Sequence, residues 1–275
     1  ALTPAFYSVH EEWAREAHRL GWSTVKVAEE AIIDLGDLAF KGKKFQDVRT
    51  AFNHAKREGI RAEWASYPSL SPQLKQQVDA ICQAWADEKA LPEMGFTLGG
   101  LREINDSDTR LLLALDEEER IHAVTSWMPV HSAGKVIGLT LDVMRRDDSG
   151  FRLAIDFLIG QAALLAQDEG LQFISLSGAP LAESGQCEES AELADSRFAF
   201  APVLDVMGSV MEPVYGFRSL LAYKKKFQVR FVPLYLAIPD IANAPAVGLA
   251  IAHAYLPNMS AVNAVGVAAK LVSRD

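Results

Sequence analysis

Three adjoining signals over residues 136–176 constrain what this chain can fold into. Residues 136–144 alternate as a strand and end in charge, residues 151–169 carry an apolar helical face closed by Gly170, and residues 173–176 form a short apolar run. Two further strand signals, residues 110–115 and 121–130, flank an acidic turn at residues 116–119. Strand, strand, strand, helix, strand in close succession favours an α/β or α+β assembly.

The first hundred residues have a similar logic. Residues 24–38 read as strand material around a turn, clearest at Ile32, Ile33, Asp34 and Leu35. Phe45, Val48, Phe52 and Ala55 then recur at helical spacing, with Gly59 where a C-cap belongs. Residues 61–66 alternate as a strand, and Ser71 before Pro72 starts a second helix over residues 71–89. Two units are therefore expected, residues 1–100 and 101–275. The polar stretch at residues 183–196 reads as a mobile loop or loosely held helix, and residues 241–272 as one or two terminal helices.

The 49% hydrophobic content supports a substantial core, and a net charge of −9 argues against nonspecific coating of nucleic acid. Against that background, Arg218, Lys224, Lys225, Lys226 and Arg230 bring a dense cationic cluster interleaved with Tyr215, Phe217, Tyr223 and Phe227. Such a local reversal of sign suits an anionic ligand. Cys82 and Cys187 lack metal or redox spacing, which fits a reducing cytosol, and the histidines form no ligand pair, so no metal site is expected. No signal peptide opens the chain, and no uninterrupted apolar run reaches the roughly 20 residues of a membrane helix.

Several motifs, in order, resemble the cytosolic domain of the aminoacyl-phosphatidylglycerol synthases, the multiple peptide resistance factor family. Gly42, Lys43, Arg49, Asn53, Ala55 and Gly59 match one block, and the run Glu93 to Gly99 matches its Glu-Met-Gly-Phe-Ser-Leu-Gly. Asp142, Met144, Arg145 and Arg146 match an Asp-Leu-Met-Arg-Arg motif, and Asp156 to Ile159 match the helix after it. Ser175 to Leu181 resembles a strand-and-turn motif, and Tyr215 to Leu236 the closing signature. Gly216, Val229, Phe231 and Leu234 depart from the usual asparagine, proline, tryptophan and arginine, and His54 replaces an arginine. An ordinary acetyltransferase is disfavoured, since no Arg/Gln-x-x-Gly-x-Gly/Ala loop opens either main helix.

The resemblance implies an α/β fold of two tandem acetyltransferase-like units of the N-acetyltransferase type, with mixed sheets. It implies an aminoacyltransferase that moves an amino acid, lysine or alanine, from aminoacyl-tRNA to the headgroup hydroxyl of phosphatidylglycerol, altering membrane charge and antimicrobial peptide resistance. The alternatives are transfer to diacylglycerol or a peptidoglycan precursor, or a noncatalytic tRNA- or lipid-binding module. No cofactor is called for. The expected setting is the cytoplasmic side of the bacterial inner membrane, with a membrane domain outside this chain.

On this reading Asp142 and Glu212 hold the substrate ammonium, while Arg145 and Lys224 meet the tRNA terminal phosphate or the developing oxyanion. Asp156, Tyr215, Phe217, Arg218, Lys226 and Arg230 join the substrate site, with Lys226 and Arg230 on the lipid phosphate. Lys43, Lys44, Arg49, Lys56 and Arg57 guide the tRNA, although periodicity alone makes that helix a solvated amphipathic one. Spacing alone sets Asp142 and Arg145 on opposite faces of an extended strand, unless the chain turns between them.

Overall fold

The computed structural model describes residues 3–88, 96, 99–180, 184–185, 187, 193 and 217–255. Eight strands form one sheet in the order β1-β8-β2-β7-β6-β5-β4-β3. In chain order they are β1 Phe6–His10, β2 Ser23–Asp34, β3 Arg61–Ala65, β4 Arg110–Leu115, β5 Ile121–Ser132, β6 Lys135–Arg146, β7 Phe173–Pro180 and β8 Arg230–Ile238. The helices are α1 Glu11–Arg19, α2 Gln46–Arg57, α3 Pro72–Asp87, α4 Leu101–Ile104, α5 Ala154–Asp168, α6 Phe217–Lys224 and α7 Ala244–Tyr255. β6 and β7 pair in parallel and every other ladder is antiparallel, so the sheet is mixed, as expected for the α/β class. β2 from the first sequence segment lies between β7 and β8 of the second, so both segments build one sheet.

The parallel pair needs a crossover, and α5 supplies it. That helix is apolar nearly all round because it is buried against the sheet on one side and α2 on the other. Phe52 of α2 meets Phe157 of α5 edge to face, with ring centroids 6.0 Å apart. The opposite face of the sheet is covered by α3 and α4, through Val78, Ile81, Cys82 and Ile104. β4 shows why a buried strand loses its alternation. Leu112 and Ala114 enter the α5 layer while Leu111, Leu113 and Leu115 enter the α3 layer, so the strand reads as a continuous apolar run.

Local signals set the helix ends. The Ser71 hydroxyl accepts the Leu74 amide at 3.3 Å, and Pro72 stands in the first turn, where a missing N–H costs little. Gly59 and Gly170 follow α2 and α5 with φ of +67° and +79°, a conformation costly for any side chain.

Four elements differ from expectation. β2 is one twelve-residue strand, not strand material around a turn, because β8 pairs it from Ser23 to Ile32 and β7 from Ala28 to Asp34. β7 runs on to Pro180, past the turn expected at Ser177. It does so through a bulge: Glu30 faces Gly178 while Ile32 faces Ser175, and Ser177 absorbs the extra residue with φ of +64°. β1 and α1 carried no strong signal, since α1 buries only Ala14 and Ala17 beneath a charged surface. Most of residues 183–196 and all of 256–272 lie outside the described residues. No described helix is long and apolar enough to cross a membrane.

Candidate active site

A cavity of about 1200 Å³ opens where α3, the end of β6, the 147–153 loop, the start of α5 and the end of α6 converge. Its wall carries Arg120, Arg145, Arg146, Arg152 and Lys226, against Glu88, Asp147, Asp148 and Asp156. Part of this charge is internally compensated. Arg120 lies 2.6 Å from Asp147, and Arg146 lies 2.9 Å from Asp148. Arg152 is exposed and closes no ion pair among the described residues. The opening therefore presents guanidinium groups, whose planar forks suit phosphate and carboxylate oxygens.

Arg145 is held by an aromatic ring. Its guanidinium carbon sits 3.3 Å from the centre of Trp85 on α3, and its Nη1 donates to the Met144 carbonyl at 3.1 Å. The stacking fixes the plane of the guanidinium. Trp85 had no distinguishing signal in the sequence. It continues the apolar stripe of α3 after Ile81 and reads as core.

Asp142 and Arg145 share one side of the sheet because β6 is bulged between them. Thr125 faces Met144 but Trp127 faces Leu141, so Ser126 alone opposes both Asp142 and Val143. The Ser126 hydroxyl accepts the Val143 amide at 2.9 Å and fixes the irregularity. Leu141 and Met144 then both pack toward α5, while Val143 packs toward α3 and α4. Asp142 Oδ1 accepts the Gly99 amide at 2.8 Å, and its Oδ2 is buried with no hydrogen-bond partner among the described residues. Burial raises the Asp142 pKa, while the Gly99 amide and the charge of Arg145 hold the rise in check. Gly99 leaves no space for a side chain, since a Cβ there would lie 1.6 Å from Asp142 Oδ2.

A second polar group forms the far wall. Lys226 Nζ lies 3.4 Å from Asp156 Oδ2 and 4.7 Å from the centre of the Tyr223 ring. The Tyr223 hydroxyl is buried, and its pKa is raised far above that of an ordinary phenol, first by burial, then by the charge of Asp156 and a hydrogen bond toward that carboxylate.

The remaining expected residues fall elsewhere. Lys224 is almost fully buried and does not line the cavity. Its Nζ donates to the Ser177 and Gly178 carbonyls at 2.9 and 3.1 Å, stapling the β7 bulge. Arg230 forms a two-pronged pair with Asp34 across β8 and β2, at 3.0 and 2.8 Å, on the exposed surface. Lys43, Lys44, Lys56 and Arg57 are exposed around α2, and Arg49 folds back to the Gly42 carbonyl. Phe217 and Arg218 lie in the first turn of α6. Glu212 and Tyr215 lie outside the described residues.

Comparison with known proteins supplies the context for this geometry. Residues 1–238 match the family model described as phosphatidylglycerol lysyltransferase, C-terminal. An uncharacterized protein of Corynebacterium glutamicum is 45% identical over 252 residues, covering 92% of this chain and 31% of that protein. The lysylphosphatidylglycerol biosynthesis bifunctional protein LysX of Nocardia farcinica is 26% identical over 262 residues, covering 94% of this chain and 22% of its own length. The chain thus spans under a third of the curated relatives named here. Among solved structures, L-PGS of Bacillus licheniformis aligns with a TM-score of 0.72 at 23% identity, over 91% of this chain and 72% of that one. The C-terminal domain of a putative lysylphosphatidylglycerol synthetase from Agrobacterium fabrum gives 0.72 at 20% identity, over 93% and 73%. These two structures share the fold of this chain.

Proposed function

Because the chain belongs to the phosphatidylglycerol lysyltransferase C-terminal family, we propose that it transfers an aminoacyl group from tRNA to the headgroup hydroxyl of phosphatidylglycerol. The observation that carries this reading is Arg145, stacked on Trp85 in the cavity wall, with its charge acting on the carboxylate of Asp142, which is not itself among the lining residues. A cation with a fixed plane suits a terminal phosphate or an ester oxyanion, and a carboxylate with an unmatched oxygen suits an ammonium.

The reaction exchanges one ester for another. The lipid hydroxyl oxygen bonds to the aminoacyl carbonyl carbon, the bond to the ribose oxygen breaks, and the hydroxyl proton leaves with the ribose. Bond energies nearly balance, so alignment and charge stabilisation supply most of the acceleration. In this account Asp142, together with Glu212, holds the aminoacyl ammonium. Arg145 faces the charge that develops on the carbonyl oxygen, and Arg146 and Arg152 hold phosphates of the tRNA 3′ end. Lys226, with the Tyr223 hydroxyl nearby, receives the lipid phosphate. The exposed lysines and arginines of the α2 region guide the acceptor stem from outside. Lys224 acts at one remove, by fixing the backbone of β7, and Arg230 stays with Asp34 at the surface.

Phosphate contacts make tRNA binding depend on salt. The logarithm of the binding constant should fall linearly with that of salt concentration, and replacing Arg146 and Arg152 together should flatten the slope by about one and a half. Filter binding between 50 and 200 mM salt, on the order of a cellular range, measures this. A slope unchanged in the double variant would remove these two arginines from the tRNA site.

The Trp85 ring gives a second expectation. A cation–π contact contributes about 0.5–2 kcal/mol, so Trp85→Ala should weaken binding of charged tRNA roughly two- to thirtyfold. Trp85→Phe should retain most of the affinity. Equal affinity in the native and alanine proteins would show that stacking does not hold Arg145 for its ligand.

A further inference from the structure

The acidic turn between β4 and β5 does more than reverse the chain. Asp116 Oδ1 accepts the amides of Glu118 and Arg120 at 3.0 and 2.9 Å, and its Oδ2 lies 3.0 Å from His122 Nε2. Burial works against the Asp116 charge, but the Arg120 amide, His122 and the Glu118 amide outweigh it and hold the carboxyl below its usual range. On the other side of the ring, His122 Nδ1 accepts the Phe151 amide at 2.9 Å. A backbone N–H only donates, so Nδ1 is unprotonated and Nε2 directs the ring's proton at Asp116. The His122 carbonyl also accepts the Asp147 amide at 2.9 Å, so ring and backbone grip the same loop. The fit is close, since a Cβ on Gly150 would stand 2.9 Å from Nδ1.

The same turn fastens the opposite wall. Gln77 of α3 accepts the Ile121 amide at 2.8 Å and donates to the Glu119 carbonyl at 3.1 Å. Arg120 reaches Asp147 and Ser149 at 2.6 and 2.8 Å. Hence α3, which carries Trp85, and the loop that follows Arg146 and carries Arg152 are anchored to one short turn.

We propose that His122 is a positioning residue: bridging Asp116 to the Phe151 amide, it sets the arginine-bearing wall of the cavity for its anionic ligand. The proposal rests on the reading of the cavity as the site of the tRNA 3′ end. His122 is buried and touches no cavity space itself, so its effect on the ligand passes through the loop.

Two substitutions separate this role from general stability. His122→Asn places an amide oxygen near the position of Nδ1 and keeps the Phe151 bond. His122→Gln reaches Asp116 and leaves the Phe151 amide without an acceptor. Leaving a buried donor unmatched costs enough to change an equilibrium about tenfold or more. The glutamine variant should therefore speed amide exchange over residues 147–151 and raise both the Kd for uncharged tRNA and the KM for charged tRNA about tenfold, with kcat within about twofold. The asparagine variant should stay within about threefold of the native protein. Equal Kd values for the two variants, or an unchanged exchange rate in the glutamine variant, would overturn the proposal. A native protein that binds tRNA without transferring would sink the reaction while the split in Kd still upheld His122. A native protein that binds no tRNA would overturn both.

Discussion

Replacing Arg145 with alanine is expected to lower the rate of transfer about a hundred- to a thousandfold, the usual cost of removing one group that stabilises developing charge. Arg145→Lys should recover little, because an ammonium has neither the planar fork nor the flat face that lies on Trp85. Asp142→Asn tests the other half of the pair. It preserves shape and the acceptor for the Gly99 amide but removes the charge proposed to hold the ammonium. A comparable loss is expected, seen chiefly in kcat/KM. Both variants should unfold within a few degrees of the native protein, since Asp142 is held at a cost in desolvation and Arg145 lines an open cavity. Native transfer rates in either variant would remove that residue from the site.

The second large effect concerns stability and pH. Lys224 is 3% exposed, and burial depresses its pKa from 10.5 to about 7, with the Glu30 charge opposing the fall. The folded protein therefore binds fewer protons than the unfolded chain between pH 7 and the normal lysine range. Stability should rise with pH through that window, by at most about 1.4 kcal/mol per unit from this group. Below pH 7 the native and unfolded lysines are both charged, and the contribution becomes flat. Lys224→Met deletes the titration, although it also leaves the Ser177 and Gly178 carbonyls without their donor. The slope between pH 7 and 9 is thus the informative quantity, not the absolute loss. Urea unfolding across that range should show the native protein gaining stability relative to the variant. Parallel profiles would show that Lys224 is charged in the fold throughout.

Much of the architecture was legible in local chemistry. The Ser71 and Pro72 start of α3, the glycines after α2 and α5, and the paired strands around residues 116–119 follow from capping, positive φ and apolar runs on either side of an acidic turn. α1 was obscured because its buried face is only Ala14 and Ala17 in an otherwise charged helix, and small apolar side chains do not stand out as core. The site was harder, for reasons of register. Alternation separates Asp142 from Arg145, and only a bulge opposite Ser126 brings them together. A ladder irregularity depends on the partner strand and leaves no mark in the strand's own sequence. Lys224 shows the converse. A lysine in a basic cluster reads as a surface cation, yet the fold turns it inward to the carbonyls of a second bulge. Lys226, two residues on, faces the cavity, because residues two apart in a helical turn point to nearly opposite sides. Trp85 and Tyr223 were hidden by their chemistry, since an aromatic ring in an apolar stripe gives no sign of which side it serves.

The most direct measurement incubates the protein with tRNA charged with radiolabelled lysine or alanine and vesicles containing phosphatidylglycerol, then counts label in the organic phase. Label as an alkali-sensitive ester of phosphatidylglycerol, absent with phosphatidylcholine vesicles and lost with Arg145→Ala, is the predicted result. A folded protein that binds charged tRNA and leaves the lipid unlabelled with both amino acids, or that labels diacylglycerol instead, would contradict it.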